Sequence, residues 1–148
     1  MAEDHPFEPD PAIDAIADAY SLDAVDLARM NFGVRLNWSI ESLRAVEIIL
    51  TQLHDAIPEK HPSEDTIVTF SKAFGSYVGE VIRREHGGCW GWVTLQGNRI
   101  VGVQFDHPRI ALWPWSRVYK RLKDGPEENV WHYYQLTVLY EKEHPSGA

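Results

Sequence analysis

Apolar spacing changes once along this chain, at Gly87-Gly88, and the two sides cannot adopt the same local structure. Upstream, Ile67, Phe70, Phe74, Tyr77, Val78, Val81 and Ile82 recur at three- and four-residue steps. That spacing predicts one long helix over 64–86, with Ser63 as its cap. Downstream, residues 89–95 and 99–105 alternate with a period of two around Gln96-Gly97-Asn98. They predict a hairpin, with a two-residue turn at Gly97-Asn98 of the type that takes glycine first. That register pairs Trp90 with Phe105, Trp92 with Val103 and Thr94 with Val101 on one face. Gly91 and Gly102 share the other face, which implies a close neighbour there. Gly75 and Gly79, four apart in the long helix, each cost about 1 kcal/mol of helix propensity relative to Ala, which points to a close backbone approach.

The rest of the chain is helical at both ends. Ile13, Ile16, Ala17 and Tyr20 mark a helix from Pro11, Ser21 a second capped start, and Gly33 its end. Ser39 opens a helix carrying Leu43, Val46, Ile49, Leu50 and Leu53, stopped by Pro58. A third strand is expected over 109–113, a short helix over 116–123, and a last helix from Glu127-Glu128 to about Glu143. Val130, Trp131, Tyr134, Val138 and Leu139 form its expected inner stripe. The order predicts an α+β fold, with helices at both ends around a three-stranded antiparallel meander. Residues 1–10, with prolines and little to bury, are expected to be a flexible acidic arm on a single domain spanning 11–148.

Charge is unevenly placed. The first 28 residues hold eight carboxylates and no Lys or Arg, while the other 120 carry fourteen of each sign. The net charge of -8 therefore sits at one end. Nucleic-acid binding is disfavoured, because phosphate neutralisation needs clustered cations. The single Cys89 excludes an internal disulfide, no apolar run reaches membrane length, and the acidic start leads to the expectation that there is no secretory signal. A cytoplasmic location is expected.

No set of residues has the spacing of a catalytic or metal site. Cys89 lacks the second Cys or close His pair of a zinc site and reads as a small core residue. No cofactor is expected. Glu80 and Glu85, five apart, do not share a helix face, and Glu80 is better placed to pair with Arg83 or Arg84. Arg117, Lys120 and Arg121 read as one side of the short helix. They suit an anion or an acidic partner, a solvated face, or a dock for the acidic arm. Trp113-Pro114-Trp115 beside them offers rings for the core or for stacking.

Four stretches, Phe74-Gly75-Ser76-Tyr77-Val78-Gly79-Glu80-Val81-Ile82, His86-Gly87-Gly88-Cys89-Trp90-Gly91-Trp92, Lys120-Arg121-Leu122-Lys123-Asp124-Gly125-Pro126-Glu127-Glu128 and Leu36-Asn37-Trp38-Ser39-Ile40-Glu41-Ser42-Leu43, resemble a family of small uncharacterised bacterial proteins. The resemblance covers most of residues 34–135 and implies no activity. Size and acidity are similar to those of immunity proteins that neutralise bacterial toxins, a likeness of class alone.

The expectation is a non-enzymatic protein-binding module of immunity type, which neutralises a toxin or effector encoded nearby. Asp14, Asp18, Asp23, Asp26, Trp113, Trp115, Arg117, Lys120 and Arg121 are its candidate partner-binding residues. The alternatives are a ligand-binding or hydrolase-like pocket lined by Glu80, Arg83 and His86, and an adaptor subunit of a larger assembly.

Overall fold

The computed structural model describes residues 5–145. The fold is α+β, with a four-stranded antiparallel sheet of order β1-β2-β3-β4. Its elements are β1 (Phe7–Pro9), α1 (Pro11–Phe32), α2 (Ser42–Lys60), α3 (Glu64–His86), β2 (Gly88–Leu95), β3 (Asn98–Phe105), β4 (Ala111–Leu112) and α4 (Pro114–Asp124). A 3-10 turn (Pro126–Glu128) leads to α5 (Val130–Tyr133), which continues through a π-helical stretch (Tyr134–Leu139) into α6 (Tyr140–Glu143). Among the described residues, no helix is long and apolar enough to cross a membrane.

The expected acidic arm is extended over Phe7–Pro9, but it is paired instead of flexible. It forms the edge strand β1, with Phe7 opposite Val93 and Glu8 opposite Trp92. Thr94 N–H donates to the Pro6 carbonyl at 2.9 Å and Asp10 N–H to the Trp90 carbonyl at 3.1 Å. Glu3 and Asp4 lie outside the described residues. Asp10 then caps α1, its side chain accepting from Ala12 N–H at 3.0 Å. Backbone groups of β2 would otherwise be unpaired at a sheet edge, which is why a short segment with few apolar residues still pairs there.

The helix starting at Ser21 does not exist separately. Ser21 is fully buried inside one continuous α1, its hydroxyl donating to the Asp18 carbonyl. Ala17, Ser21, Ala24 and Ala28 form a seam of small buried residues that lets α1 lie close along α3. In α2, Pro58 falls within the last turn and ends nothing. It forfeits one backbone bond, and His61 closes the helix in the left-handed region, its N–H reaching the Ile57 carbonyl. Ser39 still works near the start of α2, its hydroxyl oxygen accepting from Ser42 N–H at 3.2 Å.

The hairpin turns at Gln96-Gly97, one residue earlier than expected. Both residues have positive φ (51° and 81°), as a type I′ turn requires. The register therefore shifts by two: Trp90 faces Val103 and Trp92 faces Val101. A two-residue slip keeps every side chain on its expected face, because the pleat has a period of two. The third strand shrinks to Ala111–Leu112, since Pro114 already starts α4. The last helical region begins at Val130, capped by Asn129, whose side chain accepts from His132 N–H at 3.0 Å. Tyr133 is buried there, while Trp131 and Leu139 are only half-buried.

All ten residues from Ala73 to Ile82 are buried, so the middle of α3 is enclosed on every side. It packs along α1 and α4 and beneath the hairpin. Gly75 and Gly79 make that possible. A Cβ at Gly75 would lie 2.8 Å from the Pro114 carbonyl oxygen and the Trp115 Cα. At Gly79 it would lie 2.5 Å from two atoms of the Trp90 ring. Gly79→Ala and Gly75→Ala are each expected to lower the unfolding free energy by about 1–3 kcal/mol, through overpacking. Urea denaturation measures this. Unchanged or greater stability, as helix propensity alone would give, contradicts the packing described.

Candidate functional site

The N-terminal carboxylates divide into two sets. One set is used inside the molecule. Asp10 accepts from the Trp92 indole N–H at 3.0 Å. That bond, then the one from Ala12 N–H, holds its carboxyl below the usual range. Asp14 accepts from Trp90 N–H at 3.0 Å, so it ties α1 to β2 instead of facing a partner. Its place on the side of the helix towards the sheet decides this. Glu8 pairs with Arg99 at 3.1 Å on the surface.

The second set is outward. Asp18, Asp23 and Asp26 are exposed on α1. Asp26 has a loose pair with Arg29 at 3.8 Å, both side chains 65% exposed, a geometry that contributes little. The same outer side of α1 carries Ala12, Ala15, Ile16, Ala19, Leu22 and Met30, all exposed. Ile16 is 41%, Leu22 51% and Met30 73% exposed. Their spacing puts them on one side of the helix, opposite the Ala17–Ala28 seam. Thus α1 has two apolar faces. The small inner one packs on α3, and on the outer one Asp23 and Asp26 alternate with the apolar side chains, with Arg29 the only Lys or Arg on the helix.

The aromatic and basic candidates also separate. Trp115 donates from its indole to Ser76 Oγ at 2.7 Å and takes the edge of Tyr20 against its ring. Trp113 stands edge-on to His5. Both rings are half-buried, and Trp115 packs against the core. Arg117 pairs with Glu128 and lies over the Tyr133 ring at 4.2 Å. Lys120 is exposed. Arg121 is not on a surface at all: it is 0% exposed. Its guanidinium donates to Glu47 (Nη2 to Oε2 2.7 Å, Nε to Oε2 2.9 Å) and to Thr51 Oγ1 at 2.6 Å. Glu47 also accepts Val130 N–H at 3.0 Å. Arg121 sits next to Leu122 and three residues after Val118, on the inward face of α4, so it cannot share a side with Lys120. It is a structural residue and is withdrawn from the partner-binding set.

The Glu80, Arg83 and His86 group does not gather around one point. Glu80 is buried and accepts from Arg83 Nε at 2.8 Å and from the Trp90 indole at 2.8 Å. Burial alone would raise its pKa, but the Arg83 and Trp90 hydrogen bonds and the charges of Arg83 and Arg84 outweigh it. The carboxyl is held below its ordinary value. Its pairing with Arg83 is the one the sequence indicates, though not at the surface. His86 faces elsewhere: Nδ1 donates to the His107 carbonyl at 2.8 Å, and Nε2 accepts from Tyr134 Oη at 2.9 Å. Burial pushes the Tyr134 phenol up to about 12, so it stays a donor. Cys89 is half-buried, and burial with Asp14 and Asp106 nearby pushes its thiol up, away from the reactive thiolate. Among the described residues no group of three or more His, Cys, Asp or Glu is arranged to hold a metal.

Comparison with protein-family models, curated proteins and solved structures finds no match. Acid on α1 is legible in the sequence, but the exposed apolar residues among it are not: spacing groups Ile16 with Ile13, Ala17 and Tyr20, whereas Ile16 lies on the outer side with Ala19, Leu22 and Met30.

Two outcomes test these assignments. Glu47→Ala strands the Arg121 charge and is expected to cost about 3–5 kcal/mol in denaturant unfolding, with Glu47→Leu/Arg121→Leu recovering much of it. A surface-pair cost below about 1 kcal/mol would contradict the burial. His86 is the second. Burial, partly opposed by the His107 carbonyl, lowers its pKa from 6.5. Protons then favour the unfolded chain, so its contribution is intact above pH 6.5 and is lost as pH falls towards the lowered folded value. The His86→Gln variant should lose less stability than the wild type over that interval. Parallel profiles would show that His86 protonates freely.

Proposed function

We propose that the protein is a binding module that docks a basic protein partner on the outer face of α1. The observation that carries this reading is the exposed Ile16–Leu22–Met30 surface, set among Asp18, Asp23 and Asp26. Exposed apolar side chains interspersed with one sign of charge on one helix face form an interface pattern. The charge selects a cationic partner and speeds encounter, and the apolar side chains slow release. Within that class we place it as an immunity-type inhibitor that occupies and blocks a toxin or effector encoded nearby. Support for this narrower reading is its small size, its acidic character, and the likeness to immunity proteins that both imply. A cytoplasmic location belongs to the same proposal. Trp115 and Lys120 are left outside this face.

The test uses the intact protein as bait for the product of the neighbouring gene. Wild type is compared with Leu22→Glu and with Asp23→Lys/Asp26→Lys. The expected result is a basic partner whose activity the wild type inhibits. The double charge reversal should slow association by about tenfold or more at low salt. Leu22→Glu should mainly speed dissociation. Inhibition equal in all three proteins would overturn the α1 assignment. Failure of the neighbouring product to bind or be inhibited would overturn the immunity reading.

A further inference from the structure

We propose that the groove between α3 and α4 binds a small organic anion with a planar, apolar body. The two helices run antiparallel and touch at both ends of the groove. At one end the Gly75 backbone lies against Pro114 and Trp115. At the other, Glu64 accepts from Tyr119 Oη and from Lys123 Nζ, the latter at 3.2 Å. Between these contacts lies a cavity of about 560 Å³. Ligand sites of small molecules occupy roughly 300–1,000 Å³.

The walls combine two aromatic rings with two cations. Val68 and Lys72 come from α3; Trp115, Tyr119 and Lys120 come from α4. Trp115 is fixed in place by Ser76 and by Tyr20, so its accessible side is a preorganised surface for a flat ring. Tyr119 is fixed in turn by Glu64. The Lys72 ammonium lies 5.5 Å from the centroid of the Trp115 ring.

Pairing of the cations sets this groove apart. Every other Lys or Arg on these two helices meets a carboxylate: Arg83 and Arg84 meet Glu80, Arg117 meets Glu128, Arg121 meets Glu47, and Lys123 meets Glu64. Of the cations on α3 and α4, only Lys72 and Lys120 have no carboxylate within 4.0 Å among the described residues, and both line the cavity. This holds in a chain of net charge -8, where carboxylates are in excess. Asp124 also reaches the lining, on the far turn of α4, and limits the anionic end of the ligand to the part beside Lys72, Lys120 and Ser116. An anionic head between the lysines, with its ring on Trp115 and Tyr119, satisfies both features at once. Paired lysines without aromatic walls would suit a bare ion, and aromatic walls alone a neutral one.

The experiment titrates the folded full-length protein with anilinonaphthalene sulfonate, a planar aryl anion, followed by its fluorescence. The indole N–H signal of Trp115, assigned by its absence in Trp115→Phe, is recorded alongside. The expected result is saturable single-site binding that shifts the Trp115 signal. Lys72→Glu and Lys120→Glu should each weaken it by about tenfold or more, as loss of a hydrogen bond to a charged group implies. Their unfolding transitions should match the wild type. Competition by an aryl carboxylate or an aryl phosphate supports the site and identifies its preferred head group. Three results would overturn the proposal: no saturable binding, binding unchanged in both lysine variants, or competition by inorganic phosphate as effective as that of the aryl anions. None of these variants touches the outer face of α1, so the outcome is separate from that of the partner test.

Discussion

Trp90 is the residue on which the arrangement of elements depends. Its backbone N–H donates to Asp14 on α1, and its carbonyl accepts from Asp10 at the end of β1. Its indole N–H donates to Glu80 on α3, and its ring lies against Gly79 in the turn beneath. One residue, its side chain fully buried, thus ties β2 through its backbone to the N-terminal segment and the first helix, and through its ring to the central helix. Aromatic rings of this size dominate core energetics, and a buried indole N–H needs the acceptor that Glu80 supplies. Glu80 in turn is tolerable in the core because Arg83 reaches it from the next turn.

A second buried ion pair works the same way at the other end of the molecule. Glu47 on α2 gathers Arg121 of α4 and the N–H that opens α5. Such pairs cost desolvation, and their value lies in the partner that must be present. Together the two carboxylates fix how α2, α3, α4 and the hairpin meet. Acidity in this chain therefore has two uses. Asp10, Asp14, Glu47 and Glu80 are committed to holding elements in place, and Asp18, Asp23 and Asp26 remain on the surface, where charge acts on what approaches.

The basic side chains follow the same division, and it shapes the surface. Arg83, Arg84, Arg117, Arg121 and Lys123 are paired within the protein. The positive charge left on α3 and α4 is confined to Lys72 and Lys120 beside two rings. A negative helix face that carries exposed apolar residues and a small positive aromatic groove thus share one scaffold. Tyr20 connects them, rising from α1 to meet Trp115. Both surfaces rest on helices clamped by close contacts, which keeps their side chains in set positions.

Local spacing by itself determined the long helix over 64–86 with its Ser63 cap, the two hairpin strands, the α+β order and which hairpin residues share a face. It also located the excess of acid and the need for close approach at Gly75 and Gly79. These follow from neighbours a few residues apart, and a face survives even the two-residue register shift, because pleat parity is local. Tertiary structure alone decided that residues 7–9 pair as a strand, that Pro58 stays inside α2 and that Ser21 lies in a buried seam. It also decided that Asp14 and Arg121 face inward, leaving Lys72 and Lys120 as the cations of α3 and α4 with no carboxylate partner among the described residues. The acceptors and carboxylates that settle those positions lie far away in sequence: Trp90 is 76 residues from Asp14, and Arg121 is 74 from Glu47. Charge says that a side chain needs a partner, but only packing brings one within reach.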